Sequence, residues 1–305
     1  MPVPRLRLIA PLALLGACST GGPQIPVGFS TAFEVTSSDG GTTPALRAIN
    51  GTGAGNVWAV GDDGLTISQS GGEFQVAPSP GVTSGLGGLS AFDIHHTFAV
   101  EAAGATVFAW SNNQWSPLGA TRADRAAAAT WAADASDVWV AGNGIEHWDG
   151  TTWTLQVSTG TFSALSGSFR TDVWAVGAGG IEHWNGSTWT AIPAPTTAGA
   201  LTGVWTADQF DTWIVGGKGT VLFWNGATLT QLPTQSTLDL TSVSGTSNND
   251  VWAGATDGTL LHWDGTSWTT RQSTAGKPII DLWTSPGADV LFVDGSGAVG
   301  RYVSP

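Results

Sequence analysis

A repeat of about 40 residues limits what this chain can fold into more than any other feature of its sequence. The clearest copy runs from Asp250 to Thr269 and reads DVWAGATDGTLLHWDGTSWT. Similar copies start at Asp137, Asp172 and Asp211, and weaker ones at Asn56, His96 and Asp289. Self-similarity at this period is typical of solenoids and of circular arrays. Because seven such units fill nearly all of the 305 residues, we predict one repeat domain rather than two separate domains.

Each unit contains four predicted strands separated by turn-forming residues. In the copy at 240–271 the strands are LTSVSG, DVWAGA, TLLHW and SWTTRQ, and Asp264-Gly265 forms the turn between the last two. The second strand is apolar at four successive positions, as in VWAV at 173–176, which indicates burial on both faces. The fourth strand alternates, as in WTLQV at 153–157, which indicates one exposed face. This pattern predicts an all-β, seven-bladed β-propeller of four-stranded blades.

The two ends of the repeat array complement each other. The seventh unit ends at its third strand, Val299 to Val303, and has no fourth strand of its own. Upstream of the first unit, Phe33-Glu34-Val35 lies where a fourth strand precedes the next first strand. We therefore predict that an N-terminal strand completes the last blade and closes the ring. Closure of this kind covers a strand edge that an open ring would expose.

The composition excludes one class of partner. The formal net charge is −13 and the isoelectric point is about 4.4, so the chain repels phosphate backbones and we expect no nucleic-acid binding. Only 11% of residues are charged, whereas Gly numbers 43 and Trp 17. Such a composition fits many tight turns between short, aromatic-rich strands.

The N-terminal residues have the order of an export signal. Arg5 and Arg7 precede an apolar run, Leu8 to Leu15, that is too short to span a bilayer. The run ends in Leu-Gly-Ala-Cys, and Cys18 is the only cysteine. We predict a signal peptide at 1–17, a Gly- and Pro-containing tether at 18–28 and the propeller at 29–305.

The Leu-Gly-Ala-Cys sequence resembles the lipobox of bacterial lipoproteins. The resemblance implies that Cys18 is acylated, becomes the mature N-terminus and attaches the protein to a membrane. Ser19 follows the cysteine, and in that family the absence of Asp there favours export to the outer membrane. The expected location is therefore the bacterial cell envelope. The alternative is an ordinary secretory signal with a chance cysteine at its cleavage site.

The repeat pattern DVWAVG…G.I.HWDG..W resembles the propeller repeats of bacterial surface lipoproteins, within the sialidase-like and photosystem-assembly-factor-like group. The resemblance covers about residues 29–305 and implies a fold that hosts binders, scaffolds and enzymes. Sialidase-like enzymes share three arginines and a tyrosine nucleophile. Here the only tyrosine, Tyr302, takes the aromatic position that Trp263 has in the preceding unit, and the arginines are scattered. We therefore expect no catalytic residues and no cofactor.

These observations favour a non-catalytic binding or scaffolding module that acts on an unknown envelope protein or glycan. A glycan-binding, lectin-like propeller is the alternative, and a glycoside hydrolase-like enzyme is the less favoured one. Three histidines occupy equivalent positions in three units, namely His147, His183 and His262. Such a set could ligate a metal, but each one belongs to the repeat and adjoins a core tryptophan. We therefore predict packing and no metal site.

Two further sets of residues are candidate ligand-binding positions. Trp131, Trp205 and Trp283 lie in first strands where the other units have Asn or Ser. They either stack against sugars or fill gaps beside the small residues Ala129 and Gly203. The loops between second and third strands carry Asp62, Asp63, Glu101, Asp257 and Asp294, with Lys218 as their one base. This acidic set either keeps the protein soluble or binds a cationic or hydroxyl-rich partner.

Overall fold

The computed structural model describes residues 28–35, 44–53, 55–70, 72–102, 104, 106–119, 126–271, 276–284 and 289–303. These residues form 27 β-strands and one short 3-10 helix, Asp62–Gly64. Within these ranges no helix has the length and apolar character needed to cross a membrane. The predicted signal peptide, Cys18 and the tether up to residue 27 lie outside the described residues.

The strands form seven antiparallel sheets, which are the seven predicted blades. The first strand in the chain, β1 (Gly28–Glu34), belongs to the last blade. Blades 1 to 3 contain β2 (Leu46–Gly53), β3 (Asn56–Gly61), β4 (Thr66–Ser70) and β5 (Glu73–Val76); β6 (Leu86–Ala91), β7 (Thr97–Glu101), β8 (Val107–Ser111) and β9 (Gln114–Pro117); and β10 (Ala127–Asp134), β11 (Asp137–Trp148) and β12 (Trp153–Thr161). Blades 4 and 5 contain β13 (Ala164–Phe169), β14 (Asp172–Gly177), β15 (Gly180–Trp184) and β16 (Trp189–Ala191); and β17 (Leu201–Asp208), β18 (Asp211–Gly216), β19 (Thr220–Trp224) and β20 (Leu229–Gln231). Blades 6 and 7 contain β21 (Leu240–Ser247), β22 (Asp250–Ala255), β23 (Leu260–Trp263) and β24 (Trp268–Arg271); and β25 (Ile279–Thr284), β26 (Asp289–Asp294) and β27 (Ala298–Val303).

Blade 3 has four strands although only three segments form it. Its middle segment, β11, folds back on itself near Gly144, whose φ is +93°. The fold-back brings the His147 ring onto the Trp139 ring, with centroids 4.1 Å apart, and the His147 Nε2 within 2.8 Å of Asp137 Oδ1. The two arms of β11 therefore act as the second and third strands of this blade.

The predicted closure of the ring is confirmed. Strand β1 pairs antiparallel with β27, placing Phe33 opposite Val299 and Glu34 opposite Ala298. The closing strand is longer than the sequence indicated, because it starts at Gly28 and includes Phe29. The Phe29 ring packs against Tyr302, with centroids 4.9 Å apart. The N-terminal strand therefore supplies both hydrogen bonds and apolar contact to blade 7.

Apolar clusters fill the joins between neighbouring blades. At the join of blades 7 and 1, Ile49 and Val57 pack with Trp283 and Val293, and Phe33 of the closing strand adds to them. The tryptophans of the second strands are buried, as predicted, and include Trp58, Trp139, Trp174, Trp213 and Trp252. Burial of large apolar side chains between blades stabilises the ring by about 1.5–3 kcal/mol per side chain.

The strand order defines two faces of the ring. We use "upper face" for the end at which second strands turn into third strands and fourth strands lead to the next blade. We use "lower face" for the end with the first-to-second and third-to-fourth turns. The third-to-fourth turns are the predicted tight turns, and their glycines have positive φ, as at Gly150 (+94°) and Gly265 (+91°).

Candidate functional site

The acidic residues predicted as a ligand site lie on the upper face, spread over blades 1, 2, 6 and 7, and most of them accept hydrogen bonds from within the ring. Arg47 Nε donates to Asp62 Oδ1 at 2.5 Å, and Ser84 Oγ donates to Glu101 Oε1 at 2.5 Å. Asp257 accepts the Thr259 backbone N–H at 2.9 Å. Asp63 is exposed. Their carboxylates are thus distributed around the ring and largely engaged within it.

Asp294 and Lys218 also take part in hydrogen bonds within the protein. Asp294 is only 6% exposed, and its Oδ1 accepts hydrogen bonds from the backbone N–H and the hydroxyl of Ser296. Lys218 has φ +58°, and its backbone N–H donates to Asp239 Oδ1 at 2.8 Å. Replacing Asp294 would therefore disturb the turn itself. From its position in a loop alone, we would have expected a substitution there to be tolerated.

The first strands of the seven blades line a central channel of about 390 Å³. Trp131, Trp205 and Trp283 all lie in its wall, so the structure brings the three predicted aromatic candidates into one cavity. They occupy equivalent positions in blades 3, 5 and 7. Trp283 is 8% exposed, whereas Trp131 and Trp205 are half-buried.

Each of these tryptophans packs on a glycine of the next blade. A Cβ atom added to Gly167 would lie 2.8 Å from Trp131 Cζ2, and one on Gly245 would lie 2.6 Å from Trp205. Trp283 has the same relation to Gly51, at 3.1 Å. The gap that the rings fill is therefore across the join, rather than beside Ala129 or Gly203 as the sequence indicated.

The other joins use a hydrogen bond at the same position. Asn50 accepts the Ala91 N–H at 2.9 Å, and Ser90 accepts the Ala132 N–H at 3.1 Å. Ser166 and Ser244 do the same for Thr206 and Thr284, at 3.0 and 3.2 Å. At this position, neighbouring blades are therefore joined either by a hydrogen bond to a small polar side chain or by a tryptophan ring that packs on a glycine.

One acidic side chain, Asp281, lies in the channel wall at the join between blades 6, 7 and 1. Its Oδ1 accepts hydrogen bonds from the Ser242 hydroxyl, at 2.6 Å, and from the N–H of Leu282. Its Oδ2 accepts one from the Ile49 N–H at 3.0 Å. Burial raises the pKa of Asp281 to about 6, although these hydrogen bonds favour the charged form. Its bonds connect three consecutive blades, which makes it part of the closure.

The three recurring histidines bond to aspartates of their own blades. The His147, His183 and His262 Nε2 atoms each lie 2.8 Å from the Oδ1 of Asp137, Asp172 and Asp250, respectively. Each imidazole stacks on the second-strand tryptophan, with centroids 4.0–4.1 Å apart. Within the described ranges, no three His, Cys, Asp or Glu side chains converge as metal ligands do. The histidines therefore belong to the packing of their blades.

The lower face exposes large apolar side chains that the sequence analysis did not single out. Phe92 is 40% exposed, Ile94 66% and Phe210 56%, and these three lie in first-to-second turns; Phe169, 64% exposed, is the last residue of β13, directly before its turn. Phe92 and Phe169 form the sides of an open groove of about 540 Å³ whose floor includes Trp131. An exposed cluster of aromatic side chains is a feature of interaction sites on soluble proteins.

Two of the three polar side chains that line this groove, Arg170 and Ser168, are already engaged. Arg170 pairs with Asp134, and its Nε lies 3.8 Å from Asp137 Oδ2. Ser168 donates to Asp172 Oδ2 at 2.5 Å. The groove therefore offers mainly apolar surface, with Thr171 as an exposed hydroxyl group at its edge.

Phe169 departs from the repeat at a position with a local structural role. In the equivalent turns, Asp134 accepts the Ser136 N–H at 2.7 Å and Asp208 accepts the Phe210 N–H at 2.8 Å. Ser247 accepts the Asn249 N–H at 3.3 Å in blade 6. A phenyl ring cannot accept such a bond, so blade 4 loses a turn contact and gains an exposed ring. Aligning the turns of the repeat would have revealed this exception from sequence.

Comparison with known proteins supports the fold and no closer relationship. No protein-family model matches the sequence, and no curated protein matches it. The structure of YCF48 bound to D1 peptide is similar with a TM-score of 0.72 at 14% identity, over 92% of this chain and 96% of that one. An inactive virginiamycin B lyase from Staphylococcus aureus with quinupristin gives 0.73 at 13% identity, over 85% and 94%. The WD40 repeats of RRP9 give 0.74 at 13% identity, over 92% and 99%. By its strand pairing and by these likenesses, the chain is a seven-bladed β-propeller.

Proposed function

We propose that this protein is a non-catalytic binding module that docks a protein partner on its lower face. The observation that carries the proposal is the groove between Phe92 and Phe169, with Trp131 in its floor. When a partner covers exposed aromatic side chains, their burial contributes strongly to the binding free energy. Aromatic residues are among those that dominate binding energies at interfaces. Their exposure is also costly to solubility, which gives a reason for the acidic residues around them.

The alternative of a glycan ligand is less well supported by the groove. Sugar sites need polar side chains that reach the hydroxyl groups beside a stacking ring. Here Arg170, Asp134 and Ser168 are bonded to one another or to Asp172. An apolar side chain of a protein makes no such demand. YCF48, which has a similar fold, has been solved with a bound peptide, and a peptide-binding role for this propeller is consistent with that use of the fold.

We place this module in the bacterial cell envelope, attached through a lipid on Cys18 and exported to the outer membrane. The support is the order of charges, apolar run, small residues and cysteine at the N-terminus, together with the resemblance to surface-lipoprotein repeats. Cys18→Ala should move the protein from the membrane fraction to the soluble fraction. Mass spectrometry that finds an unmodified N-terminus at another residue would overturn the anchor.

The docking proposal is tested by recovery and reconstitution. Immobilised wild-type protein and the Phe92→Ser, Phe169→Ser double variant are incubated with envelope extract. A protein recovered only by the wild type is then produced separately and titrated. The proposal predicts direct binding that weakens at least tenfold in the double variant and is unchanged in Asp63→Asn, an exposed position of the upper face. Weaker binding by Asp63→Asn alone would assign the site to the upper face instead.

A further inference from the structure

Resting on the proposed function, we infer that the partner presents a peptide segment with one large apolar side chain flanked by lysine or arginine. The apolar side chain fills the groove between Phe92 and Phe169. The basic side chains face the carboxylates that border the exposed phenylalanines. Neither part of this assignment follows from the repeat pattern, because both depend on turns that differ from blade to blade.

The apolar half of the inference comes from the shape of the groove. Its sides are Phe92 from blade 2 and Phe169 from blade 4, and its floor is formed by Trp131, Ala132 and Ala133 of blade 3. A groove of about 540 Å³ with three aromatic side chains in its lining has room for a large apolar side chain. A large apolar side chain that enters such a groove is shielded from water on three sides, as interface anchors are.

The basic half comes from the charges around the groove. Two of the exposed phenylalanines of this face have a partly exposed aspartate next to them in sequence, in the pairs Phe92–Asp93 and Phe210–Asp211, whereas Asp172 near Phe169 is buried and engaged within its blade. Near the groove, the one guanidinium of Arg170 pairs with Asp134 and lies 3.8 Å from Asp137, and no described lysine or arginine pairs with Asp93. His96 lies 2.9 Å from Asp93. The surplus is negative, so a segment with positive charge is attracted and an acidic one is repelled.

Blade 5 extends this surface and carries its least compensated acids. Asp208 and Asp211 flank Phe210, and no described cationic side chain forms an ion pair with either. Burial and the charge of Asp208 raise the pKa of Asp211 above its usual value. A basic side chain from a partner would relieve this repulsion. A basic residue next to an apolar one therefore fits both blade 4 and blade 5.

A lipid surface is the other apolar partner to consider, and the charges argue against it. Bacterial membranes carry anionic headgroups, and the same aspartates that attract a basic peptide repel them. Membrane-inserting surfaces combine aromatic side chains with lysine and arginine, whereas Arg170 here is neutralised by two aspartates. The observations therefore favour a peptide, and membrane binding is an outcome that the test can detect.

The test is a selection of random 12-residue peptides displayed on phage against the mature chain carrying Cys18→Ala. We expect enriched peptides to contain Leu, Phe or Trp beside Lys or Arg. Synthetic copies should bind at least tenfold more weakly to Phe169→Ser and three- to tenfold more weakly to Asp208→Asn, Asp211→Asn. Binding should weaken with added salt in the wild type and less so in the double Asn variant. Val76→Ser, which removes an exposed apolar side chain from the outer strand β5, is the matched control and should bind as the wild type does.

The possible failures are distinguishable. Enriched peptides that lack basic residues but lose binding in Phe169→Ser would overturn the assigned chemistry and leave docking on the lower face in place. Enriched peptides that bind Phe169→Ser and the wild type equally, or no enrichment at all, would overturn both. Sedimentation with phosphatidylethanolamine–phosphatidylglycerol vesicles that depends on Phe169 would also overturn the inference, in favour of a membrane partner.

Discussion

Blades 4 and 5 are neighbours with the same backbone, yet they treat the aspartate at the start of the second strand in opposite ways. In blade 4, Asp172 accepts hydrogen bonds from His183 Nε2 at 2.8 Å, Trp174 Nε1 at 3.0 Å and Ser168 Oγ. In blade 5, Phe223 replaces the histidine and its ring lies 4.7 Å from that of Trp213. Asp211 is left with a long contact, 3.4 Å, from Asn248.

As a result, the pKa values of the two carboxyl groups are shifted in opposite directions. Burial opposes ionisation of Asp172, but hydrogen bonds from His183, Ser168 and Trp174 outweigh it and lower the pKa. Burial raises the pKa of Asp211, and the nearby charge of Asp208 adds to the effect. The indole N–H of Trp213 has no partner among the described residues, whereas that of Trp174 is satisfied. The blade fold therefore does not require the histidine, and His147 of blade 3 shows that a histidine alone does not give the tryptophan N–H a partner, because that of Trp139 also has none among the described residues.

The largest effect is expected from removing the two aspartates in turn. Asp172→Ala should lower the free energy of unfolding by about 2–4 kcal/mol, because Trp174 is fully buried and His183 and Ser168 also lose their acceptor. Asp211→Ala should change it by less than about 0.5 kcal/mol, because little hydrogen bonding is lost and a repulsion is relieved. Urea titration at pH 7 measures both. Equal losses would show that the contrast between the blades has no energetic meaning.

Asp281 is a second aspartate that, like Asp211, has a raised pKa and no histidine partner among the described residues. Its raised pKa means that the folded state binds more protons than the unfolded one between about pH 4 and 6. Its contribution to stability is therefore fully present below the unfolded pKa and is lost as pH rises through about 6. The wild type should gain about 1–2 kcal/mol between pH 7.5 and 4.5 relative to Asp281→Asn. A constant difference between the two proteins across this range would contradict the assignment.

Installing a histidine in blade 5 is a direct way to remove the contrast. Phe223→His should lower the pKa of Asp211 and raise the free energy of unfolding by about 0.5–1 kcal/mol at pH 7. The added stability should be present above the unfolded pKa and be lost as pH falls through the lowered folded pKa. Nuclear magnetic resonance titration of the carboxyl carbon measures the shift. An unshifted pKa would mean that the blade 5 backbone cannot position the imidazole as blade 4 does.

The smallest effect on stability is expected at Phe169. Phe169→Ser gives blade 4 the turn residue that Ser247 supplies in blade 6, where it accepts the Asn249 N–H. We expect the free energy of unfolding to stay within about 0.5 kcal/mol of the wild type. Partner binding should nevertheless fall at least tenfold. A large loss of stability would instead make Phe169 a structural residue and remove the basis for the docking surface.

Most of the fold follows from the periodicity of the sequence. The second strands begin where the repeat begins, at Asp137, Asp172, Asp211, Asp250 and Asp289. The closing strand is predictable because the last unit lacks one, and a ring of blades leaves one place for it. Strand order and register are the same in every unit, so they can be predicted even from the weaker copies of the repeat.

The candidate site could not be predicted in the same way. The loops between second and third strands stood out because they are acidic, but Asp62 is bonded to Arg47, Glu101 to Ser84, and Asp294 to Ser296 in its own turn. Whether a carboxylate is free depends on the neighbouring blade or turn, which the repeat does not encode. Aligning the turns would have shown Phe169 as an exception to the repeat but not its exposure, because an aromatic residue in a tryptophan-rich repeat is expected to be buried.

Hydrogen–deuterium exchange of the protein with and without its partner, or with a selected peptide, tests the central claim most directly. Docking on the lower face predicts slower exchange in the turn at 92–96, at the end of β10 (131–134) and at the end of β13 with its turn (168–171), all of which contribute to the groove. The upper-face turns around Asp62, Glu101 and Asp257 should exchange at the same rate in both states. Protection confined to those upper turns, with none around the groove, would contradict the account.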